Sequence, residues 1–301
     1  MAFHSEKRGK RVLVTGLGGF TGHHLAKELH EAGYAVHGLV LPNGDDHVDL
    51  LDEGAVKAAV AHIRPSAVIH LAAVAFAAHS DIDKVYRTNI VGTRHLLAAL
   101  ADLQEKPETV LLASSALVYG NSPAGESLLN EASPLRPAND YAVSKLAMEY
   151  MARTWSSHFR LIFTRPFNYT GVGQDSRFLV PKIVSHFRRG ERTIELGNLD
   201  VWREFMDVRA VVRAYRRLLE TDGDDDMFNI CTGSPHSLRD VLAAMVEIAG
   251  YDIEVRVNPA FVRENEIRRL AGDPSRLQSR IGAMPHFSLS DTLRWMYQAA
   301  E

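Results

Sequence analysis

A chain of 301 residues with 46% hydrophobic content is long enough to bury a large core, as two domains or as one large domain carrying a lobe. Its net charge of −3 offers no basic field for nucleic acid, and its single cysteine, Cys231, excludes an intramolecular disulfide framework and fits a reducing compartment. No run approaches the roughly 18 apolar residues of a membrane span, and the charged N-terminal segment lacks an apolar export core, so a cytoplasmic protein with no membrane partner is expected.

Arg11–Thr15 reads as a buried strand, followed by Gly16-Leu-Gly-Gly19-Phe20-Thr-Gly22 and an amphipathic helix over residues 23–32. In this G-x-x-G-x-x-G turn Gly16 permits the tight bend, Gly19 lets backbone approach a pyrophosphate, and Gly22 lets the helix pack closely on the strand. The N–H groups that open the helix suit phosphates, so the segment predicts dinucleotide binding. His23 and His24 stand together at the helix start. No cysteine or carboxylate is placed to complete a metal site with them, so one reads as partly exposed and the other as packed, with no metal.

Strands and helices then alternate: strand 34–41, helix 53–63, strand 67–71, one long helix 82–103, strand 109–113, helix 141–157 and strand 161–165. This order predicts an α/β fold, a Rossmann-type doubly wound parallel sheet, with a smaller C-terminal lobe. The boundary is set at a dinucleotide-binding domain 1–166 and a lobe 167–301 that returns some segments to the sheet. The second half carries a Gly-rich loop at 171–174, a helix at 178–189, a strand at 192–195, a solvated acidic turn at 222–226 and helices at 237–249 and 288–300.

The stretch Tyr141-Ala-Val-Ser-Lys145 lies on a predicted helix, where residues four apart share a face, so Lys145 can hold the Tyr141 phenol in a positive field. A free tyrosine titrates near 10, and a fall of about three units, roughly 4 kcal/mol, brings it into the useful range. Ser115 would supply a hydroxyl to hold a substrate oxygen. Downstream of a dinucleotide turn, these three groups describe hydride transfer to a carbonyl.

With these parts placed, the chain resembles the extended short-chain dehydrogenase/reductase superfamily, in the branch that modifies nucleotide sugars. The resemblance is carried by Thr15-Gly-Leu-Gly-Gly-Phe-Thr-Gly22, Asp49-Leu-Leu-Asp52, Val68-Ile-His-Leu-Ala-Ala73, Asn89-Ile-Val-Gly-Thr93, Ser114-Ser-Ala-Leu-Val-Tyr-Gly120, Tyr141-Ala-Val-Ser-Lys145 and Arg165-Pro-Phe-Asn168. It implies that Gly16, Gly19, Phe20, Gly22, Tyr141 and Lys145 contact the coenzyme. Asp49 and Leu50 would line its adenine pocket, Leu71, Ala72 and Ala73 would run along it, and Asn89 would brace the sheet nearby. Segments 165–174, 201–208 and 262–274 resemble those of GDP-mannose 4,6-dehydratases and, more closely, GDP-4-keto-6-deoxy-mannose reductases. By that resemblance Arg203 and Arg263 would clamp a sugar-nucleotide diphosphate, for which the planar guanidinium fork is suited. Asn168 would bind near the phosphate or sugar, Phe178 and Lys182 would line the nucleotide pocket, and Glu266 would reach the nucleoside.

One departure selects among the reactions of this branch. Dehydratases carry an acidic residue two positions before the tyrosine of Ser-x-x-x-Tyr-Gly, and the epimerase-reductases carry a cysteine there; this chain has Leu117. Leucine accepts no proton, whereas ketone reduction needs only a hydride donor, Tyr141 and Ser115. The expectation is therefore reduction of the 4-keto group of a GDP-linked 6-deoxy-4-ketohexose. A 4-epimerase, a 4,6-dehydratase and a non-catalytic dinucleotide-binding protein are the alternatives. The segment Val40-Leu-Pro-Asn43 has neither the acidic residue of NAD sites nor the arginine or lysine of NADP sites. NADPH or NADH would serve, with a slight lean to NADPH, and Arg94 could fold into that pocket. Leu96, Leu97, Leu100, Met148 and Met151 give two helices more apolar girth than one sheet face covers, and related enzymes pair these helices, so a homodimer through a four-helix bundle is expected.

Overall fold

The computed structural model describes residues 10–40, 48–74, 81–121, 128–223, 226–261 and 267–300. In chain order the elements are β1 (Arg11–Thr15), α1 (Phe20–Glu31), β2 (Ala35–Gly38), α2 (Glu53–Ile63), β3 (Ala67–His70), α3 (Ile82–Tyr86), a π-helical segment (Arg87–Gly92), α4 (Thr93–Ala101), β4 (Thr109–Ala113), a 3-10 turn (Ala116–Tyr119), α5 (Asp140–Arg153), β5 (Arg160–Pro166) and β6 (Tyr169–Thr170). They continue with α6 (Leu179–Arg188), β7 (Thr193–Leu196), β8 (Trp202–Arg203), β9 (Met206–Asp207), α7 (Val208–Leu219), β10 (Met227–Ile230), β11 (His236–Ser237), α8 (Leu238–Ala249), β12 (Glu254–Val257), β13 (Arg269–Leu270), α9 (Ser275–Ile281) and α10 (Leu289–Gln298).

The chain divides into two compact units. The first is built from Met1–Val118, Pro137–Arg165 and Val212–Phe228, the second from Tyr119–Arg136, Pro166–Val211 and Asn229–Glu301. The central sheet has the order β10-β5-β4-β3-β1-β2, and β1 to β5 pair in parallel. Its strands are short apolar runs, Val12 to Val14, Val68-Ile69 and Val110 to Leu112, all fully buried, as a parallel sheet covered on both faces requires. The strand order reverses between β1 and β3. At such a switch point the chain leaves the strand ends in opposite directions and opens a crevice.

The sequence predicts one helix over 82–103, but the structure inserts the π-helical segment between α3 and α4. A π turn carries one more residue than an α turn and re-aims the side chains around it. The side chains expected to form the dimer face are instead core. Leu96, Leu97 and Leu100 are fully buried and Met148 is nearly so, packed with Leu13, Val68, Val110 and Phe163, with Met151 lying against the same cluster. α4 is flanked by both α2 and α5, and these neighbours cover the girth that the sequence left unassigned.

No helix was expected over 208–219, where α7 stands. Its Val208, Val211, Val212, Tyr215 and Leu218 fall at helical spacing and are all buried. Within the first unit, Arg216 on α7 donates to Glu28 on α1 at 2.8 Å and pairs with Glu220, which accepts from Tyr34 at 3.2 Å. In the second unit α6, α8 and α10 enclose Ile183, Phe187, Val241, Met245, Leu293 and Met296. Ser237 and Ser288 open α8 and α10 with reciprocal capping bonds to Asp240 and Asp291. Among the described residues no helix is long and apolar enough to cross a membrane.

Candidate active site

The turn after β1 is shaped for something that is not a side chain. Gly16 has φ +73°, and a Cβ there would lie 2.9 Å from the Ala72 nitrogen; a Cβ on Gly22 would lie 2.4 Å from the carbonyl oxygens of both Gly16 and Leu17. The Gly19 N–H closes the turn on the Gly16 carbonyl at 3.0 Å. Gly19 is also the N-cap of α1 and provides no capping side chain, whereas α2, α5, α8 and α10 are capped by Asp52, Asn139, Ser237 and Ser288. With glycine at the N-cap, no side chain stands in front of the positive dipole end of α1, and a pyrophosphate fits that chemistry. Phe20 follows with its ring edge-on to His24 at 5.4 Å, while His23 is exposed and bonds the Gly19 carbonyl.

The neighbouring loops meet this turn. Leu71, Ala72 and Ala73 run on from β3; the Leu71 N–H donates to the Thr15 carbonyl and the Ala72 N–H to Thr15 Oγ1, both at 3.2 Å. Asn89, buried in the π-helical segment, accepts from the Val74 N–H at 2.9 Å and donates to Ser144 Oγ at 3.0 Å, so it joins this loop to α5. Leu50 is buried, its carbonyl taken by His95 Nδ1–H at 2.9 Å, and exposed Asp49 accepts the Leu51 N–H in a local turn. Arg94 is exposed on α4, and the residues after Val40 that bear on coenzyme choice lie outside the described residues.

Ser115 stands two residues past the end of β4, its Oγ accepting from the Leu117 N–H at 3.2 Å. Asn139 caps α5, accepting from the Ala142 N–H at 2.9 Å, and so places Tyr141 and Lys145 one above the other in the first turns. The Lys145 ammonium lies 5.9 Å from the Tyr141 ring centroid and donates to the Ala113 carbonyl at 2.8 Å. Burial of Lys145 lowers its pKa to about 8, and Glu149 opposes the fall. Glu149 is itself held by Arg165 through bonds of 3.0 and 2.7 Å in a fully buried fork. Lys145 thus remains mainly cationic at neutral pH. Leu117 sits half-buried in the 3-10 turn beside Ser115.

Four of the six residues expected to bind substrate are described, all in the second unit; Arg263 and Glu266 lie outside the described residues. Phe178 is the exposed N-cap of α6, and Lys182 stands one turn on, donating to the Glu195 carbonyl at 2.8 Å with its ammonium 4.5 Å from the Phe261 ring centroid. Arg203 lies on β8 between β11 and β13 and donates to the Trp202 carbonyl at 2.9 Å. Exposed Asn168 offers its carbonyl to the Met206 N–H at 3.0 Å. Phe261 was not expected here. The sequence also gave no role to Glu204, fully buried beside Arg203, which accepts from Thr232 Oγ1 at 2.8 Å and the Gly272 N–H at 2.7 Å. Burial raises its pKa, and it fastens the segments that follow β10 and β13 to β8. His70, buried at the end of β3, likewise belongs to none of the expected site residues. Its signal was a histidine closing an otherwise apolar strand.

A parallel sheet with a glycine turn at its switch point, followed by a serine just past β4 and a tyrosine and lysine in the first turns of α5, has the build of a dinucleotide-dependent oxidoreductase of the short-chain type. The sequence matches the family described as GDP-mannose 4,6 dehydratase over residues 13–296, and the chain belongs to that family. It is 34% identical to the GDP-6-deoxy-D-talose 4-dehydrogenase of Aggregatibacter actinomycetemcomitans, covering 96% of this chain and 97% of the relative. It is 33% identical to the GDP-6-deoxy-D-mannose reductase of Pseudomonas aeruginosa strain PAO1, covering 95% of each. Among solved structures, a Burkholderia cenocepacia J2315 protein provisionally named an epimerase is similar at TM-score 0.89 and 48% identity over 97% of this chain and 98% of that one. RMD from Pseudomonas aeruginosa complexed with NADPH is similar at TM-score 0.85 and 32% identity over 96% of each chain.

Proposed function

We propose that this protein is an NAD(P)H-dependent 4-ketoreductase of a GDP-linked 6-deoxy-4-ketohexose. It would convert GDP-4-keto-6-deoxy-D-mannose to GDP-D-rhamnose or to its 4-epimer, the 6-deoxy-talose of the Aggregatibacter relative's name. The observation that carries the reading is Leu117 beside Ser115, in a site that keeps Tyr141 and Lys145. The groups a ketone reduction needs are present, and the proton acceptor that water loss needs is replaced by an aliphatic side chain.

Gly16, Gly19, Phe20, Gly22, Asp49, Leu50, Leu71, Ala72, Ala73 and Asn89 would hold the coenzyme, which when bound would supply the hydride. Ser115 Oγ–H holds the ketone oxygen, and Tyr141 delivers a proton to it as negative charge develops. Lys145 keeps a positive field on the tyrosine, its orientation set by Ala113. In the lobe, Arg203 and Arg263 hold the diphosphate, Phe178 and Lys182 face the nucleotide, Asn168 lies near the sugar and Glu266 near the nucleoside. The slight lean to NADPH agrees with the coenzyme in the Pseudomonas complex. Residues 1–166 serve the coenzyme and 167–301 mainly the sugar nucleotide, and the protein works in the cytoplasm.

A homodimer belongs to this reading, on different residues from those first expected. Ile82 and Val91 on one helical run and Val143 and Tyr150 on α5 are exposed apolar side chains on helices that pack side by side. Light scattering at micromolar concentration tests it, and Val143→Glu with Tyr150→Glu should yield monomer. Incubation with GDP-4-keto-6-deoxy-mannose and NADPH, with the product examined by NMR, tests the activity. A 4-epimerase would instead hold NAD through gel filtration and interconvert reduced sugars without net coenzyme turnover.

A further inference from the structure

A file of hydrogen bonds crosses the buried centre of the first unit. It begins at the Ala72 N–H, which donates to Thr15 Oγ1 at 3.2 Å. Thr15 Oγ1 stands 2.6 Å from His70 Nδ1, and His70 Nε2 stands 2.9 Å from Thr93 Oγ1. Thr93 Oγ1 donates to the Asn89 carbonyl at 2.8 Å. The Asn89 amide nitrogen donates to Ser144 Oγ at 3.0 Å, and Ser144 Oγ donates to the Tyr141 carbonyl at 2.8 Å.

The protons follow by elimination. A threonine hydroxyl has one proton, and that of Thr93 faces a carbonyl, which can only accept. Thr93 must therefore accept from His70, and the imidazole carries its proton on Nε2. Nδ1 is then an acceptor, so Thr15 donates to it, leaving the Thr15 lone pairs for the Ala72 N–H. Every donor in the file has an acceptor. Burial, with the charge of Lys145, holds the ring neutral by lowering its pKa to about 3.

We propose that His70 is a positioning residue of the reduction, an Nε2–H imidazole that locks the coenzyme-lining loop after β3 to the Asn89 segment and, through Ser144, sets Tyr141 on α5. The inference rests on Tyr141 being the proton donor. An apolar side chain would fill the same space without the desolvation cost of a buried imidazole, so packing alone does not account for a ring partnered on both sides. The two ends of the file are groups the reaction has to hold in register: Ala72 beside the coenzyme and Tyr141 beside the ketone.

The test is kinetic, with turnover counted per NADPH-binding site so that misfolded molecules drop out. His70→Leu should lower kcat roughly tenfold to a hundredfold while the Kd for NADPH moves less than about threefold. Nitrogen-resolved NMR of the parent should show the Nε2–H tautomer. An unchanged kcat per site, or an imidazole protonated on Nδ1, overturns the proposal. Should His70→Leu not fold, Thr93→Val cuts the same file by removing one hydroxyl and is read in the same way. Tyr141→Phe is run alongside. If it keeps full turnover, the proton-donor assignment fails; if it loses turnover while His70→Leu does not, only the role of His70 fails.

Discussion

The ammonium of Lys145 donates to the carbonyl oxygen of Ala113 at 2.8 Å, tying the helix that carries Tyr141 to the last residue of β4. That bond joins the helix of the tyrosine to the strand end from which Ser115 follows, two residues beyond Ala113. Its consequence is a pH dependence. With the Lys145 pKa lowered to about 8, the positive field on Tyr141 fades as pH rises through that value. kcat/KM for ketone reduction should fall above about pH 8, and the limb should vanish in Lys145→Met. An unchanged alkaline limb in that variant would assign the titration to another group. The sign for stability is opposite: charging this buried lysine opposes folding below about pH 8, and the cost is relieved as pH rises towards its ordinary 10.5.

Tyr141→Phe removes an oxygen and leaves the ring. Turnover should drop by about a hundredfold or more with NADPH affinity little changed, because proton donation is lost and packing is not. Stopped-flow measurement of NADPH oxidation reads both quantities.

The glycine turn after β1 allows a contrast between glycines. A Cβ on Gly22 would lie 2.4 Å from two carbonyl oxygens, whereas one on Gly18 meets no heavy atom within 4 Å. Gly22→Ala should weaken NADPH binding by about a hundredfold or more, equivalent to about 2.8 kcal/mol, and Gly18→Ala should fold normally. Fluorescence titration with NADPH and a melting curve for each variant separate coenzyme binding from folding.

Arg203→Ala should weaken GDP binding tenfold to a hundredfold, the loss of a charge-assisted interaction of about 1.5 to 3 kcal/mol, and leave NADPH affinity unchanged. Calorimetric titration with GDP avoids the unstable ketosugar. Equal GDP affinity in parent and variant would make a smaller carbonyl compound the better substrate.

His70 should mark the acid limb of stability. Its pKa is lowered from 6.5 to about 3 in the fold, so the unfolded chain binds a proton that the folded chain refuses. The contribution is fully present above pH 6.5 and is lost as pH falls towards about 3. Urea midpoints should decline over that window in the parent and less steeply in His70→Gln.

How much of this was legible in the sequence depends on how local its cause is. The glycine turn, the sheet strands and the Tyr141–Lys145 pair are set by spacing along one element, and the structure places them as the spacing implied. The π-helical segment has no such mark. Asn89 and Gly92 read like any helical residues, and only the Val74 loop, Ser144 and the close approach of Gly92 to Leu50 make the extra residue favourable. Leu96, Leu97 and Leu100 misled for a related reason: periodicity shows that a face is apolar and not how many neighbours will cover it. α7 carried a clean helical pattern, masked to the eye by Arg209, Arg213, Arg216 and Arg217 set between its apolar positions.

The strand β10 has a further consequence, for synthesis on the ribosome. It lies beside β5 at the edge of the central sheet, yet it follows β5 only after much of the second unit has been made. Until residues 227–230 emerge, the nascent sheet presents β5 as a bare edge, the template on which strands of other chains add. A fragment cut at 166 keeps that edge for good and should aggregate, and cutting later does not isolate a domain, because the first unit is interleaved with the second. Expression of either unit alone calls for splicing its segments together, as in a circular permutant, and truncation will not serve.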